Sequence, residues 1–188
     1  MKKLLITAFD PFGGSDINPS QLAVEQLPDT VAGFELHKRI IPTVYGTAAQ
    51  LVLDATAYCK PDVILCIGVA AGRDAITPER IAVNIRDARI PDNAGNQPQG
   101  DPVVADAPAA YFATVPLTKI VQAIEAHDIP ARISNTAGTF VCNDLFYVMS
   151  HRFAGSPTCV GFIHVPTLDA LSLDQITTAL MAAISACQ

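Results

Sequence analysis

Short apolar segments alternate along the chain with longer amphipathic ones. Val63–Ile67 and Cys159–His164 contain almost no polar residue, which is typical of strands buried on both faces of a sheet. Two helix starts carry capping signals, Asn18-Pro19 and a capping-box pattern that begins at Ser172. Together these patterns predict strands at Lys3–Phe9, Phe34–Ile41, Val63–Ile67, Ile81–Ile85, Ala131–Asn135 and Cys159–His164, and helices after Asn18, at Tyr45–Cys59, Leu117–His127 and Phe140–Phe153, and after Ser172.

This alternation predicts an α/β fold with a mainly parallel sheet and helices on both faces. The stretch around Ile81–Ile85 resembles a hairpin, so we also expect at least one antiparallel strand, and the polar stretch Pro91–Pro102 is predicted to be a loop. Ligands in such folds bind at the carboxyl ends of the strands. Chemistry is therefore expected in the segments that follow strands: Asp10–Gly14, Gly68–Arg73, Thr136–Thr139 and Val165–Thr167.

Composition narrows the class of protein. The 188 residues suit one domain spanning 1–188, and with 50% hydrophobic and 16% charged residues the chain can bury a core, which argues against disorder. A net charge of −6 argues against nucleic acid and anionic membranes as partners. The apolar N-terminus resembles a secretory signal but stops at Asp10-Pro11 without a cleavage site, so a cytoplasmic protein is expected.

The cysteines argue against a metal centre. Their number is five, they are widely scattered, and no pair has CxxC spacing, which disfavours both a disulfide framework and a zinc site. Cys142 differs from the others because it lies in the first turn of a predicted helix, after the bend at Gly138, where the helix dipole favours a thiolate. Its spacing to later apolar residues equally fits a thiol packed in the core.

A cysteine nucleophile requires a base, usually histidine. His164 ends a buried apolar strand, where an open α/β site would hold a base, although a hydrogen-bonded core histidine is an equal alternative. The spacing of acidic residues along the sequence does not identify the acid that would orient His164. The loop Gly68–Arg73 permits a rival interpretation as a phosphate site, as in a nucleoside phosphorylase-like transferase, and a non-catalytic α/β binding module is a third possibility. The candidate acids are Asp10, Asp74, Glu79, Asp87 and Asp92.

Several blocks of sequence match a known family of cysteine peptidases. They are Thr7–Gly14, Asn18–Ser20, Gly72–Asn84, Asp87–Asn93, Ser134–Asn143 and Phe162–Pro166. On these blocks the chain resembles the pyroglutamyl peptidase I (pyrrolidone-carboxylate peptidase) family essentially end to end. The resemblance implies a three-layer α/β/α open sandwich, a cytoplasmic homotetramer, no cofactor, and hydrolysis of an N-terminal pyroglutamyl residue from peptides.

The resemblance also assigns roles to residues. It implies a catalytic triad of Glu79, Cys142 and His164, with Arg89 and the backbone N–H of Cys142 at the oxyanion. Val69 stands where the family often has glutamine, which matters only if that side chain contacts substrate. The lactam edges need a donor and an acceptor, expected from the backbone of Gly68–Ala71 with help from Asn18. The implied lining of the pyroglutamyl pocket is Phe9, Phe12, Thr43, Ile90, Phe140 and Val141.

Overall fold

Ten strands and five helices make up the chain, and the computed structural model describes all of residues 1–188. In chain order they are β1 (Lys2–Phe9), α1 (Pro19–Gln26), β2 (Thr30–Val31), β3 (Phe34–Ile41), α2 (Thr47–Cys59), β4 (Val63–Val69), β5 (Thr77–Pro78), β6 (Ile81–Val83), β7 (Arg86–Asp87), β8 (Gln99–Asp101), β9 (Ala110–Phe112), α3 (Leu117–Glu125), α4 (Val141–Arg152), β10 (Cys159–Val165) and α5 (Leu173–Ser185).

Six of the strands form one sheet in the order β2-β3-β1-β4-β10-β5. The four central strands are parallel, and the short edge strands β2 and β5 run antiparallel to their neighbours. Helices α1, α3 and α5 cover one face and α2 and α4 the other, which gives three layers. The predicted α/β fold, with a mainly parallel sheet and some antiparallel pairing, is confirmed.

Two cores lie on opposite faces of this sheet because side chains alternate along each strand. On β1, Leu4 and Ile6 join the core beneath α1, α3 and α5, whereas Leu5 and Phe9 join the core beneath α2 and α4. The capping residues act as predicted: Asn18 accepts a hydrogen bond from the Ser20 N–H, and Ser172 forms a complete capping box. None of the helices combines the length and apolar character needed to cross a membrane.

Two local predictions were wrong, and the antiparallel strand predicted at Ile81–Ile85 is confirmed for Ile81–Val83. Ala131–Asn135 forms only two isolated bridges, beside Ile76 and Glu79, because Pro78 between them has no N–H to continue the ladder. Ile81–Ile85 contributes a strand, but it pairs with β9 outside the main sheet. The stretch Pro91–Pro102 is not wholly loop, since β8 within it pairs with β7.

Candidate active site

A cleft of about 500 Å³ lies at the carboxyl ends of the parallel strands and contains both Cys142 and His164. Its walls come from the segment after β4, from the segment before α4, and from residues near β7. Three of the segments expected to carry chemistry, Asp10–Gly14, Gly68–Arg73 and Thr136–Thr139, therefore face one space. The lining residues are Phe12, Val69, Ala70, Ala71, Arg73, Asp87, Arg89, Ile90, Thr136, Ala137, Gly138, Thr139, Phe140, Cys142 and His164.

Cys142 is the second residue of α4, at an end where no side chain caps the helix. The first backbone N–H groups of such a helix have no partner within it and point towards any anion placed there. The thiol packs closely over Gly68 of β4: a methyl group at Gly68 would lie 3.0 Å from Cys142 Sγ. Glycine at this strand position therefore leaves the space that the sulfur occupies.

His164 is held on β10 directly beside Gly68, its register partner on β4. Parallel register places both residues on the sheet face that α4 covers. The imidazole is almost completely buried, and the Phe162 ring lies against it with a centroid distance of 4.8 Å. His164 Nδ1 lies 2.7 Å from Glu79 Oε1, so a charged carboxylate there fixes Nδ1 as the donor and leaves Nε2 free.

Glu79 reaches His164 because β5 pairs antiparallel with β10 at the sheet edge. Immediately after β5, the Glu79 N–H donates to the Phe162 carbonyl at 2.8 Å, which sets the side chain beside the imidazole. The carboxylate is fully buried, and its Oε2 makes no hydrogen bond. Of the five acids that spacing left open, this is the one the structure places on His164.

Arg73 completes the group and was not among the predicted site residues. Its Nη1 donates to Glu79 Oε1 at 2.6 Å, and its Nη2 donates to the Thr136 carbonyl at 3.0 Å. The guanidinium is a quarter exposed and lines the cleft. The sequence signal that could have identified it is the position of an arginine at the end of the loop after a buried strand. An arginine at such a position is equally compatible with an ordinary surface charge.

Burial dominates the protonation of the pair. It raises the pKa of the Cys142 thiol to about 12, helped by the negative charge of Glu79, and it lowers the pKa of His164 below its ordinary value. Burial also acts to raise the pKa of Glu79, but the hydrogen bond and charge of His164 and the hydrogen bond from Arg73 lower it. The resting site thus holds a neutral thiol, a neutral imidazole and a carboxylate. The expected easing of thiol ionisation by the helix is outweighed.

Five predicted pocket and oxyanion residues do line the cleft: Phe12, Val69, Arg89, Ile90 and Phe140. The rings of Phe12 and Phe140 contact each other, with centroids 6.0 Å apart. Tyr45 packs edge-on against Phe140 at 5.6 Å and donates a hydrogen bond to the Thr139 carbonyl. Tyr45 therefore supports this wall from behind, a role that the sequence did not suggest.

Four other predicted pocket residues are buried outside the cleft wall. Phe9 packs against Phe162 in the core, and Val141 is buried in the first turn of α4. Asn18 caps α1 and donates to the Asp10 carbonyl, while the N–H and hydroxyl of Thr43 donate to the Asp10 carboxylate. None of these four side chains lines the cleft, and those of Asn18 and Thr43 hold Asp10, two residues before Phe12.

Another cleft, of about 460 Å³, lies between α2 and the end of α4. It contains neither cysteine nor histidine, so it lacks the pair of side chains, Cys142 and His164, that the first cleft contains. No group of three or more His, Cys, Asp or Glu side chains is arranged to hold a metal ion. The lining of this second cleft is Leu53, Asp54, Thr56, Ala57, Lys60, Pro61, Arg152, Phe153 and Thr158.

Comparison with known proteins places the chain in a family. The pyroglutamyl peptidase model matches residues 2–187. A pyrrolidone-carboxylate peptidase of Enterococcus faecalis is 45% identical over 96% of this chain and 85% of its own, and one of Thermococcus onnurineus is 47% identical over 92% and 88%. The crystal structure of Bacillus amyloliquefaciens pyroglutamyl peptidase I matches with a TM-score of 0.96 and 42% identity, over 100% of this chain and 97% of its own. With a cleft that holds a cysteine and a histidine–glutamate pair, and with these relatives, the chain belongs to the pyroglutamyl peptidase family of cysteine peptidases.

Proposed function

We propose that this chain, as a single catalytic domain, removes an N-terminal pyroglutamyl residue from peptides, with Cys142 as nucleophile, His164 as base and Glu79 as the orienting acid. The observation that carries the proposal is the 2.7 Å contact between His164 and the buried Glu79, next to the cleft that holds the Cys142 thiol. This arrangement has the order nucleophile, base, orienting acid that acyl transfer requires.

In the acylation step, Cys142 Sγ attacks the pyroglutamyl carbonyl carbon while His164 Nε2 takes the thiol proton. Because both groups are neutral at rest, the proton moves as the carbon–sulfur bond forms. The ionised Glu79 stabilises the imidazolium through Nδ1. His164 then gives this proton to the leaving amine nitrogen as the carbon–nitrogen bond breaks, which leaves a thioester on Cys142.

Deacylation repeats the sequence with water. His164 takes a proton from a water molecule that attacks the thioester carbonyl, and it returns that proton to the departing sulfur, so that free pyroglutamate and the thiol result. In both steps the negative oxygen is expected near the start of α4, where the Cys142 N–H is available. Arg89, an exposed member of the cleft wall, supplies a positive charge to the same space.

The neutral lactam ring would bind against the Phe12–Phe140 pair. A flat ring between two others needs a spacing of about 7 Å, twice a normal carbon–carbon contact. At 6.0 Å the pair has no room for such an insertion, so the substrate ring packs along its exposed side. In the facing wall the Ala71 N–H makes no hydrogen bond within the protein and is a donor for the lactam carbonyl. A backbone contact of this kind is compatible with valine at position 69.

The decisive experiment measures hydrolysis of a chromogenic pyroglutamyl amide by the wild-type protein, before and after alkylation with iodoacetamide. We expect turnover that alkylation abolishes, and no turnover by Cys142→Ala. Cys159→Ala is the matched control, because that thiol lies at the start of β10, away from the cleft, and this variant should remain active. Turnover by Cys142→Ala would contradict the mechanism, and dependence on phosphate would instead support a transferase.

Three further predictions from the family resemblance concern the whole protein: a homotetramer, a cytoplasmic location and no cofactor. Large apolar side chains on the surface are compatible with subunit contacts, notably Tyr58 at 87% and Phe112 at 67% exposed. Light scattering of the purified protein would measure the number of subunits directly, and a monomer at micromolar concentration would contradict the tetramer.

A further inference from the structure

Arg73 shares a single carboxylate oxygen with the imidazole of His164. Both Arg73 Nη1, at 2.6 Å, and His164 Nδ1, at 2.7 Å, contact Glu79 Oε1, whereas Oε2 has no partner. The carboxylate is fully buried. A buried charge of this kind is stable only when it is paired and hydrogen-bonded.

Arg73 is the only permanent positive charge in contact with Glu79. The ion pairs of this carboxylate are with Arg73 and His164, and the imidazole is neutral at rest because burial lowers the pKa of His164. Without the guanidinium, the buried carboxylate would be balanced only if His164 carried a resting proton or if Glu79 itself were protonated. Either change disables the base, since a protonated imidazole cannot accept the thiol proton and a neutral acid cannot stabilise the imidazolium.

We propose that Arg73 is a positioning residue that keeps Glu79 ionised while His164 stays unprotonated, so that His164 can accept the proton of Cys142. This inference rests on the proposed peptidase function and deepens it by adding a fourth member to the triad. Arg73 acts through Glu79 and does not contact the reacting atoms.

A purely structural role is the alternative, because Arg73 Nη2 also donates a hydrogen bond to the Thr136 carbonyl and so holds the segment before α4 in place. A third possibility is substrate binding, since the guanidinium lines the cleft. Replacement of Arg73 would have a different effect in each case. Loss of a structural role lowers stability, loss of a substrate contact raises KM, and loss of the proposed role changes kcat and the pH profile. The other titratable or charged groups around the site are Cys66, Asp87, Arg89 and Cys142.

The test compares Arg73→Met and Arg73→Lys with the wild-type protein in kcat, KM, melting temperature and the pH dependence of kcat/KM. For Arg73→Met we expect kcat to fall about tenfold to a hundredfold, the range for loss of a hydrogen bond to a charged group, with KM within about twofold. The acid limb of the kcat/KM profile, where activity falls as the pH is lowered, should move to higher pH by about half a unit or more. The reason is that removing a nearby positive charge raises the pKa of His164. Arg73→Lys keeps the charge and should restore the position of the acid limb.

Arg132→Met is the matched control. Arg132 pairs at 2.6 Å with Asp74, the residue after Arg73, but does not line the cleft, and its loss should leave kcat and the pH profile unchanged. If Arg73→Met does not fold, Arg73→Lys decides alone: a wild-type acid limb with a kcat reduced no more than about tenfold supports the proposal.

Three results would overturn the role of Arg73: kcat of Arg73→Met within twofold of wild type, a rise in KM alone, or equal losses in both variants with an unshifted acid limb. Failure of the underlying function looks different. In that case the wild-type protein would not hydrolyse the pyroglutamyl amide, or Cys142→Ala would remain active.

Discussion

Replacing Gly68 with alanine tests how closely the structure positions Cys142, the proposed nucleophile. The backbone of Gly68 lies in β4 and needs no left-handed conformation, so alanine is tolerated by the strand itself. The new methyl group, however, would lie 3.0 Å from Cys142 Sγ and 2.9 Å from the Phe162 ring. Normal carbon contacts are about 3.5–4.0 Å, so both neighbours must move, each by about half an ångström.

Of the two neighbours, Cys142 is the one that can move further. The Phe162 ring is fully buried and packed against the rings of Phe9, Phe146 and His164, whereas the thiol can rotate about one bond into the cleft. A displacement of about 1 Å at a reacting atom costs about a hundredfold in rate. We therefore expect kcat of Gly68→Ala to fall about tenfold to a hundredfold. The overpacking costs about 1–3 kcal/mol of stability, and reduced freedom of the unfolded chain offsets about 0.4–1 kcal/mol.

Gly161→Ala is the control that distinguishes displacement of Cys142 from a general loss of stability through overpacking. Gly161 lies on the adjacent strand β10, but a methyl group there would meet Val115 at 2.5 Å in the core on the opposite sheet face. This variant should lose at least as much stability as Gly68→Ala and keep the kcat of its folded fraction. The assay is kcat and KM for a pyroglutamyl amide well below both melting temperatures, which are measured by circular dichroism. Wild-type kcat in Gly68→Ala, or an equal loss in Gly161→Ala, would refute the reasoning.

Other measurements examine the rest of the site. Because the pKa of His164 lies below its ordinary value of 6.5, kcat/KM should be full at neutral pH and lost only as the pH falls through that lowered value; an acid limb above pH 6.5 would contradict this. Because the pKa of Cys142 is about 12, its alkylation by iodoacetamide should still accelerate between about pH 8 and 10, and a plateau below that range would show a stable thiolate. Phe140→Ala should raise KM about tenfold with little change in kcat, since it removes apolar contact with the ring; an unchanged KM would place the ring elsewhere. Prolyl and glutamyl amides should be cleaved about 10⁴-fold more slowly than the pyroglutamyl amide, and comparable kcat/KM values would exclude a hydrogen-bonded lactam pocket. Asp92→Ala should lower the unfolding free energy at pH 7 by about 1–3 kcal/mol, because that carboxylate holds the loop through Asn96 and the Tyr45 N–H. These bonds outweigh burial and lower the pKa of Asp92, so its contribution is present above its ordinary value of 3.8 and lost as the pH falls; a wild-type urea midpoint would contradict it.

The central strands and the helices were predictable because their physical cause is local. Val63–Ile67 and Cys159–Ile163 are apolar over their whole length, which is typical of strands covered on both faces. The observed β4 and β10 extend the predicted ranges by two residues and one residue. Asn18 and Ser172 mark helix starts by a hydrogen bond to a backbone N–H two or three residues away. Such signals need no knowledge of the rest of the chain.

The partner of His164 could not be predicted in this way. Glu79 is brought to His164 by β5, an edge strand of two residues that begins with Thr77 opposite His164 itself. A pairing so short has no periodicity, and 85 positions separate the two side chains along the chain. Arg73 was missed for the same reason, since its partner is defined only once Glu79 is in place. Likewise, the β7–β8 ribbon consists of polar residues paired through their backbones, so no apolar pattern marks it.

The position of β10 in the sheet has a consequence for synthesis of the protein. β10 lies between β4 and β5 in the sheet, yet it is the last of the strands in chain order. The edge of the apolar strand β4 that pairs with β10 therefore has no partner until translation has passed Val165. The same strand carries His164, and it also supplies the pairing that positions Glu79. Completion of the sheet and placement of His164 beside Glu79 therefore occur together, and a chain that has not yet closed its sheet lacks the base proposed for peptide hydrolysis.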